Sequence, residues 1–204
     1  MRKLPLSFYQ QKDVLAVAAA LIGKVLVSNI NRKACAGRIV EAEAYIGLTD
    51  RASHSYNGRR TARNEHMYAA AGTSYVYICY GMHQMFNVVT NEINIPDAVL
   101  IRALEPVKGI EWMMHRTGKQ ADDYSITRGP GNLCMAMGID KSLSGVSLLG
   151  NELFIQDDPR FCLSSQQLGI SKRIGVEGAG PEAANMPYRY YIKGSPYVSG
   201  SPRT

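Results

Sequence analysis

The sequence predicts a mixed α+β fold: one domain on a curved, mostly antiparallel β-sheet, with peripheral helices. Three observations predict it. Strand-like runs outnumber helical ones along the chain. Short polar turns separate several of these runs in the manner of hairpins. The helical stretches are few and short, and each is bounded by a capping residue or a glycine. With 204 residues, 46% of them hydrophobic, the chain can fill one substantial core.

The elements follow in order. Asp13 occupies an N-cap position and Gly23 follows the last apolar residue, so about 13–22 reads as a helix. Residues 24–28 and 34–46 read as strands joined by a polar turn at 29–33. In the second strand the two-residue period places Ile39, Glu41, Glu43 and Tyr45 on one face. Arg38, Val40, Ala42, Ala44 and Ile46 take the other. Residues 47–66 form a long polar loop, a kind of segment that is usually functional or mobile. A tyrosine-rich strand at 73–80 ends at Gly81, a second strand covers 85–90, and Gly-Met-His-Gln between them makes a hairpin. A third strand at 98–104 is apolar except for Arg102. Pro106 starts a helix that ends near Gly118. Gly129-Pro130-Gly131 opens another short helix, closed by Gly138. Strands near 152–156, 171–176 and 188–193 complete the pattern.

The net charge of +6 and pI near 9.2 favour an anionic partner without identifying it. Arg51, Arg59, Arg60 and Arg63 crowd one loop, opposed locally by Asp50 and Glu65. That cluster is either a solvated loop or, beside the tyrosine-rich strand, a nucleic-acid surface. The four cysteines are widely spaced among apolar neighbours and read as buried thiols in a reducing compartment, without disulfides. No signal-peptide core or membrane-spanning run is present, which leads us to expect a soluble, cytoplasmic protein.

The chemistry concentrates between Arg38 and Arg102. Glu43 shares a strand face with Tyr45. It reads either as a general base that activates water or as the ion-pair partner of Arg102. Glu41 reads as structural, holding a backbone amide or an arginine. Arg102 is the single charge of an apolar strand and needs an anionic partner: Glu43, a phosphate, or both in turn. His54 is either a solvated loop histidine or, if the loop folds over Glu43, part of a site. Tyr75 and Tyr77 share one face. Tyr80 lies at a hairpin tip, where an exposed aromatic can wedge between stacked bases. No P-loop, dinucleotide-binding glycine pattern or H-E-x-x-H is present, no metal site is expected, and no lysine lies in this region for Schiff-base chemistry.

RIVEAEAYIG, ASHS, RRTARN, GTSYVYICYGM, NVV and AVLIRALEP, followed by RGPGNLC, RIGV, AG and YYIKGSPYVS, occur in this order. Together they resemble the alkyladenine (3-methyladenine) DNA glycosylase family, over about residues 5–199. The resemblance implies a fold like a formyltransferase C-terminal domain, and a protruding β-hairpin that enters the DNA minor groove. It implies excision of alkylated or deaminated purines from double-stranded DNA by a monomer without metal or organic cofactor. Position by position, it makes Glu43 the base that deprotonates the attacking water, with Arg102 holding both. It places Tyr45, His54 and Tyr77 around the flipped purine and Asn87 against the 2-amino group of guanine. Tyr80, with Met82 beside it, fills the gap the nucleotide leaves. Arg59, Thr61, Arg63 and Arg128 match positions that contact the DNA backbone. His83 falls where some relatives carry an aromatic residue. No long N-terminal extension is expected. Two functions stay open at this point: a monofunctional damage-specific glycosylase, and a non-catalytic nucleic-acid-binding module on the same fold. A carboxylate facing DNA discriminates them, because a pure binder has no use for one.

Overall fold

The computed structural model describes residues 2–200. A short strand β1 (Arg2–Lys3) and the helical turn α1 (Leu6–Tyr9) lead into helix α2 (Val14–Leu21). Asp13 caps α2 as expected, its carboxylate accepting the Leu15 and Ala16 amides at 2.9 and 3.1 Å. Strands β2 (Val25–Ile30) and β3 (Lys33–Tyr45) form a hairpin through Asn31 and Arg32. Both turn residues have positive φ, 52° and 61°, the backbone a two-residue hairpin turn requires. Strands β4 (Ser74–Cys79), β5 (His83–Thr90) and β6 (Asp97–Lys108) follow, then helices α3 (Ile110–Thr117) and α4 (Pro130–Met137). Strands β7 (Leu153–Asp157) and β8 (Leu168–Ser171), the turn α5 (Pro181–Ala184) and strand β9 (Arg189–Ile192) complete the chain. Pro130 at the first turn and Gly138 at the close of α4 behave as the sequence led us to expect.

The named strands join one antiparallel sheet in the order β1-β7-β2-β3-β6-β5-β4, with β9 pairing β3 and β8 pairing β9. The fold is thus α+β with a large antiparallel sheet. β3 is its axis. The first half of β3 pairs with β2, and Glu41, Ala42 and Glu43 pair with Tyr191, Tyr190 and Arg189 of β9. The register against β6 shifts between Ile39 and Glu41. This bulge changes the expected face assignment. Ile39 joins Ala42 and Ala44 in the main core, while Glu41 and Glu43 point to the opposite face. An extra residue in one strand reverses the two-residue alternation beyond it.

The main core lies between one sheet face and the helices, with Leu21, Ile39, Phe86, Ile101, Met113 and Leu133 fully buried. The other sheet face carries the polar residues of interest and is covered by the 47–66 loop and by the chain after β8. Gly47 lets the chain leave β3: a Cβ there would lie 2.2 Å from the Pro96 carbonyl oxygen.

Three further expectations change. Pro106 does not start a helix. It lies inside β6 opposite Gly37, next to a register shift that accommodates its missing N–H, and the helix begins only at Ile110. Residues 171–176 are not a strand: β8 ends at Ser171 and the chain then turns over the sheet face. The cysteines are all free among the described residues, but only Cys35 and Cys134 are buried; Cys79 is half-buried and Cys162 exposed. No helix of the described residues is long and apolar enough to cross a membrane.

Phe86 is fully buried at the centre of this core. Phe86→Ala is expected to lower unfolding free energy by about 3–5 kcal/mol in a denaturant titration.

Candidate active site

On the sheet face away from the helices, alternate residues of four neighbouring strands converge. Glu43 and Tyr45 come from β3, Leu100 and Arg102 from β6, Asn87 from β5, and Tyr75 and Tyr77 from β4. All of these except Glu43, which lies behind the wall, line a cavity of about 360 Å³, closed on its other sides by Ser53, His54 and Arg63 of the long loop and by Ile174, Gly175 and Val176. That volume suits a small organic group.

Glu43 lies at the base and is fully buried. Its Oε1 accepts the Ile174 N–H at 2.8 Å. Its Oε2 accepts the Tyr45 hydroxyl at 2.9 Å and pairs with Arg102 Nη1 at 3.3 Å. Tyr45, Arg102 and Ile174 all line the cavity, so the carboxylate sits directly behind its wall. Burial pushes the Glu43 carboxyl above its ordinary proton affinity, while Arg102, the Ile174 amide and the Tyr45 hydroxyl pull it back. The carboxylate is therefore held ionisable but energetically exposed.

Arg102 is shared. Its Nε donates to Glu41 Oε1 at 3.0 Å. Glu41 also accepts Arg189 Nε at 2.7 Å and the Ser199 N–H at 2.8 Å. It thus holds both an arginine and a backbone amide, as its place in the sequence suggested. The loop does fold over this face and carries His54 with it. The His54 ring meets Tyr77 edge-on with centroids 4.5 Å apart, and its Nδ1 lies 2.9 Å from the Tyr75 hydroxyl. Partial burial, then Arg63 and Arg59, lower the histidine's proton affinity, so the neutral ring is favoured. Burial raises the Tyr75 phenol, so Tyr75 stays protonated, and its hydroxyl and His54 Nδ1 share one hydrogen bond whose donor is set by the imidazole tautomer. The Asn87 amide nitrogen donates to the Tyr75 and Met85 carbonyls at 3.1 and 3.2 Å, which leaves its oxygen unoccupied by these bonds.

The family model described as methylpurine-DNA glycosylase matches residues 7–196. The chain belongs to this family. It is accordingly a DNA glycosylase of base excision repair, a hydrolase of N-glycosyl bonds. A relative in Desulfitobacterium hafniense is 46% identical, covering 98% of this chain and 99% of its own length. One in Clostridium perfringens is 43% identical over 97% and 98% of the two chains. One in Bacillus cereus is 45% identical over 96% and 98%. Their names describe them, provisionally, as 3-methyladenine DNA glycosylases.

In this glycosylase the structure gathers Glu43, Arg102, Tyr45, His54, Tyr77 and Asn87 at one cavity. The β4–β5 hairpin carries Tyr80 and Met82 on a three-residue turn, tighter than the four residues expected, since Cys79 pairs with His83. Both side chains are exposed, Tyr80 by 87% and Met82 by 72%. Tyr80 adopts φ +49°, unusual for a bulky residue. His83 packs on Gly131 at the start of α4. The remaining basic positions are dispersed. Arg59 is exposed on the loop, and Thr61 bonds Asn64. Arg63 lies 5.9 Å from the Tyr77 ring and donates to the Ile78 carbonyl. Arg128 donates to the Pro196 carbonyl. Among the described residues no cluster of three or more His, Cys, Asp or Glu could hold a metal ion.

Sequence reasoning missed two contributors. Tyr75 shares the alternation of Tyr77, which could have placed it in the cavity. The Ile174 amide had no signal, because any non-proline residue supplies an N–H.

The two carboxylates are expected to answer differently to neutralisation. Glu41→Gln leaves Arg102 and Arg189 short of a buried anion and costs about 3–5 kcal/mol. Glu43 has a raised proton affinity, so its contribution to stability is full when protonated and is lost as pH rises and it ionises. Glu43→Gln, a neutral mimic, is therefore expected to melt at or above the wild-type temperature at neutral pH. Parallel thermal scans of the two variants check the contrast.

Proposed function

We propose that this glycosylase flips alkylated or deaminated purines out of duplex DNA and hydrolyses their N-glycosidic bond with a Glu43-activated water. The products are the free base and an abasic site, with no strand cleavage by lyase chemistry. Its substrates comprise 3-methyladenine, 7-methylguanine, hypoxanthine and ethenoadenine. The single observation that carries the reading is the buried Glu43 carboxylate, held by Arg102, Tyr45 and Ile174 directly behind the wall of a cavity that Tyr45, His54 and Tyr77 line.

The steps follow from these groups. A base inside a duplex hides its glycosidic bond, so the nucleotide must swing out at a cost of a few kcal/mol. Tyr80 at the hairpin tip fills the vacated space and offsets part of that cost. A purine alkylated at N3 or N7 is cationic and gains roughly 0.5–2 kcal/mol against the faces of Tyr45 and Tyr77, a gain that a neutral base lacks. In the tautomer that accepts the Tyr75 hydroxyl at Nδ1, His54 offers its Nε2–H to an acceptor on the base edge, and Asn87 crowds the exocyclic group of guanine. As the bond lengthens, positive charge grows on the sugar, and the Glu43 carboxylate stabilises it. Oε1 of Glu43 accepts one hydrogen bond and retains a second lone pair for the water. That water gives its proton to Glu43 as it attacks the anomeric carbon. A cationic purine leaves without prior protonation, which suits a site with one carboxylate at the sugar. Arg59, Thr61, Arg63 and Arg128 hold the flanking phosphates.

Duplexes that each contain one defined lesion test the reading by measurement of free base. Glu43→Gln is expected to bind abasic-site DNA and to release no base; release of 3-methyladenine at the wild-type rate would overturn the assignment. Tyr80→Ala is expected to weaken binding to abasic DNA by about 1–3 kcal/mol through lost stacking. Equal affinity in a titration would remove Tyr80 from the wedge role.

A further inference from the structure

Arg173 and Asp50 form a buried ion pair that no step of the hydrolysis consumes. Their side chains are 0% and 3% exposed. The two Nη groups of Arg173 meet both carboxylate oxygens of Asp50 as a fork, one of them at 2.9 Å. Nη1 also donates to the Ala44 carbonyl at 2.9 Å, and Nη2 to the Ala183 carbonyl at 3.1 Å. The guanidinium lies 4.6 Å from the Tyr45 ring centre and 5.2 Å from that of Tyr188. Its Nε has no hydrogen-bond partner among the described residues. Burying a guanidinium is costly, and an apolar pair of similar size would hold two segments together as well. What an apolar pair could not do is grip specific carbonyls and an aromatic face at fixed angles.

Two of the groups that Arg173 holds, and its own chain neighbour, lead to Glu43. Ala44, whose carbonyl it holds, lies between Glu43 and Tyr45 in β3. The Tyr45 ring on which it packs carries the hydroxyl bonded to Glu43 Oε2. The next residue, Ile174, donates the amide bonded to Glu43 Oε1. Gly175 and Val176 then line the cavity. Asp50 starts the loop turn that delivers Ser53 and His54 to the same cavity. A single side chain therefore registers the chain after β8 against the end of β3.

We infer that Arg173, clamped by Asp50, is a positioning residue of the reaction: it seats the Tyr45 hydroxyl and the Ile174 amide on the two oxygens of Glu43. The inference rests on Glu43 as the base. The charged and titratable groups around Glu43 are Arg102 from β6, Tyr45 and Glu41 from β3, Tyr77 from β4, and Arg173 itself. Arg102 reaches Glu43 directly and does not depend on Arg173. Loosening Arg173 thus removes two donors that favour the ionised carboxylate and leaves the third. Glu43 then takes its proton at higher pH.

The test follows single-turnover release of 3-methyladenine from a defined duplex against pH, with affinity for abasic-site DNA measured alongside. Arg173→Lys keeps the charge but not the planar fork. It is expected to lower the maximal rate roughly 10- to 100-fold, as small misplacements of reacting groups do. It is also expected to move the acid limb of the profile to higher pH and to leave abasic-DNA affinity unchanged. Asp50→Asn, which keeps the shape of the clamp and removes its charge, is expected to move both quantities in the same direction and serves if the lysine variant folds poorly. A wild-type rate and acid limb, or a rate reduced equally at every pH, assigns the pair to stability alone and overturns the inference. Glu43→Gln in the same series separates the two readings. If it is inert while Arg173→Lys behaves as wild type, only the positioning role falls; if it releases base, the assignment of Glu43 as base falls first.

Discussion

The structure depends on one unfavourable placement: a carboxylate with no exposed surface on the working face of the sheet. Left alone, Glu43 would protonate rather than remain charged there. Three donors from three parts of the chain oppose this: Arg102 of β6, the hydroxyl of Tyr45 two residues away, and the Ile174 amide from beyond β8. Each is one side of the cavity wall, so the groups that stabilise the charge also shape the space in front of it. The balance is incomplete, as the raised proton affinity of Glu43 records. On the proposed reading, that incompleteness suits a group that accepts a proton during turnover, because a carboxylate too well satisfied is a poor base.

Glu41 is the counterpart that makes the arrangement affordable. It lies in the same strand, is equally buried, and is fully enclosed by donors from Arg102, Arg189 and Ser199. Arg102 therefore stands between two anions and cannot swing away from either. The bulge in β3 is what puts both carboxylates on this face while Ile39 stays in the core. Without the extra residue, a strict alternation would bury Ile39 against charges. The same irregularity is where β3 exchanges β2 for β9 as its partner, so sheet topology and site chemistry meet at one residue.

Much of this was legible in the sequence because it is local. The Asp13 cap, the β2–β3 turn, the α4 boundaries and the β4–β5 hairpin are written in residues within a few positions of each other. The pairing of Glu43 with Arg102 was one of two readings open to a lone arginine in an apolar strand. What failed was non-local. The reversal at Ile39 comes from a choice of partner strands, and Pro106 is tolerated in β6 by a register shift that depends on Gly37 across the ladder. Arg173 entered the sequence reading only as the first residue of RIGV, and its burial had no local sign, since its partner Asp50 lies 123 positions earlier. The exposed Cys162 shows that apolar neighbours in sequence do not guarantee burial.

The separation of these partners has a consequence during synthesis. Glu43 emerges from the ribosome early, but its amide partner is 131 residues downstream and the backbone cap of Glu41 is 158 downstream. A nascent chain that ends before Ile174 holds the Glu43 carboxyl with one of its three donors missing and the cavity with one side open. On the proposed reading, a translation product that stops before Ile174 carries the β4–β5 hairpin without a completed site.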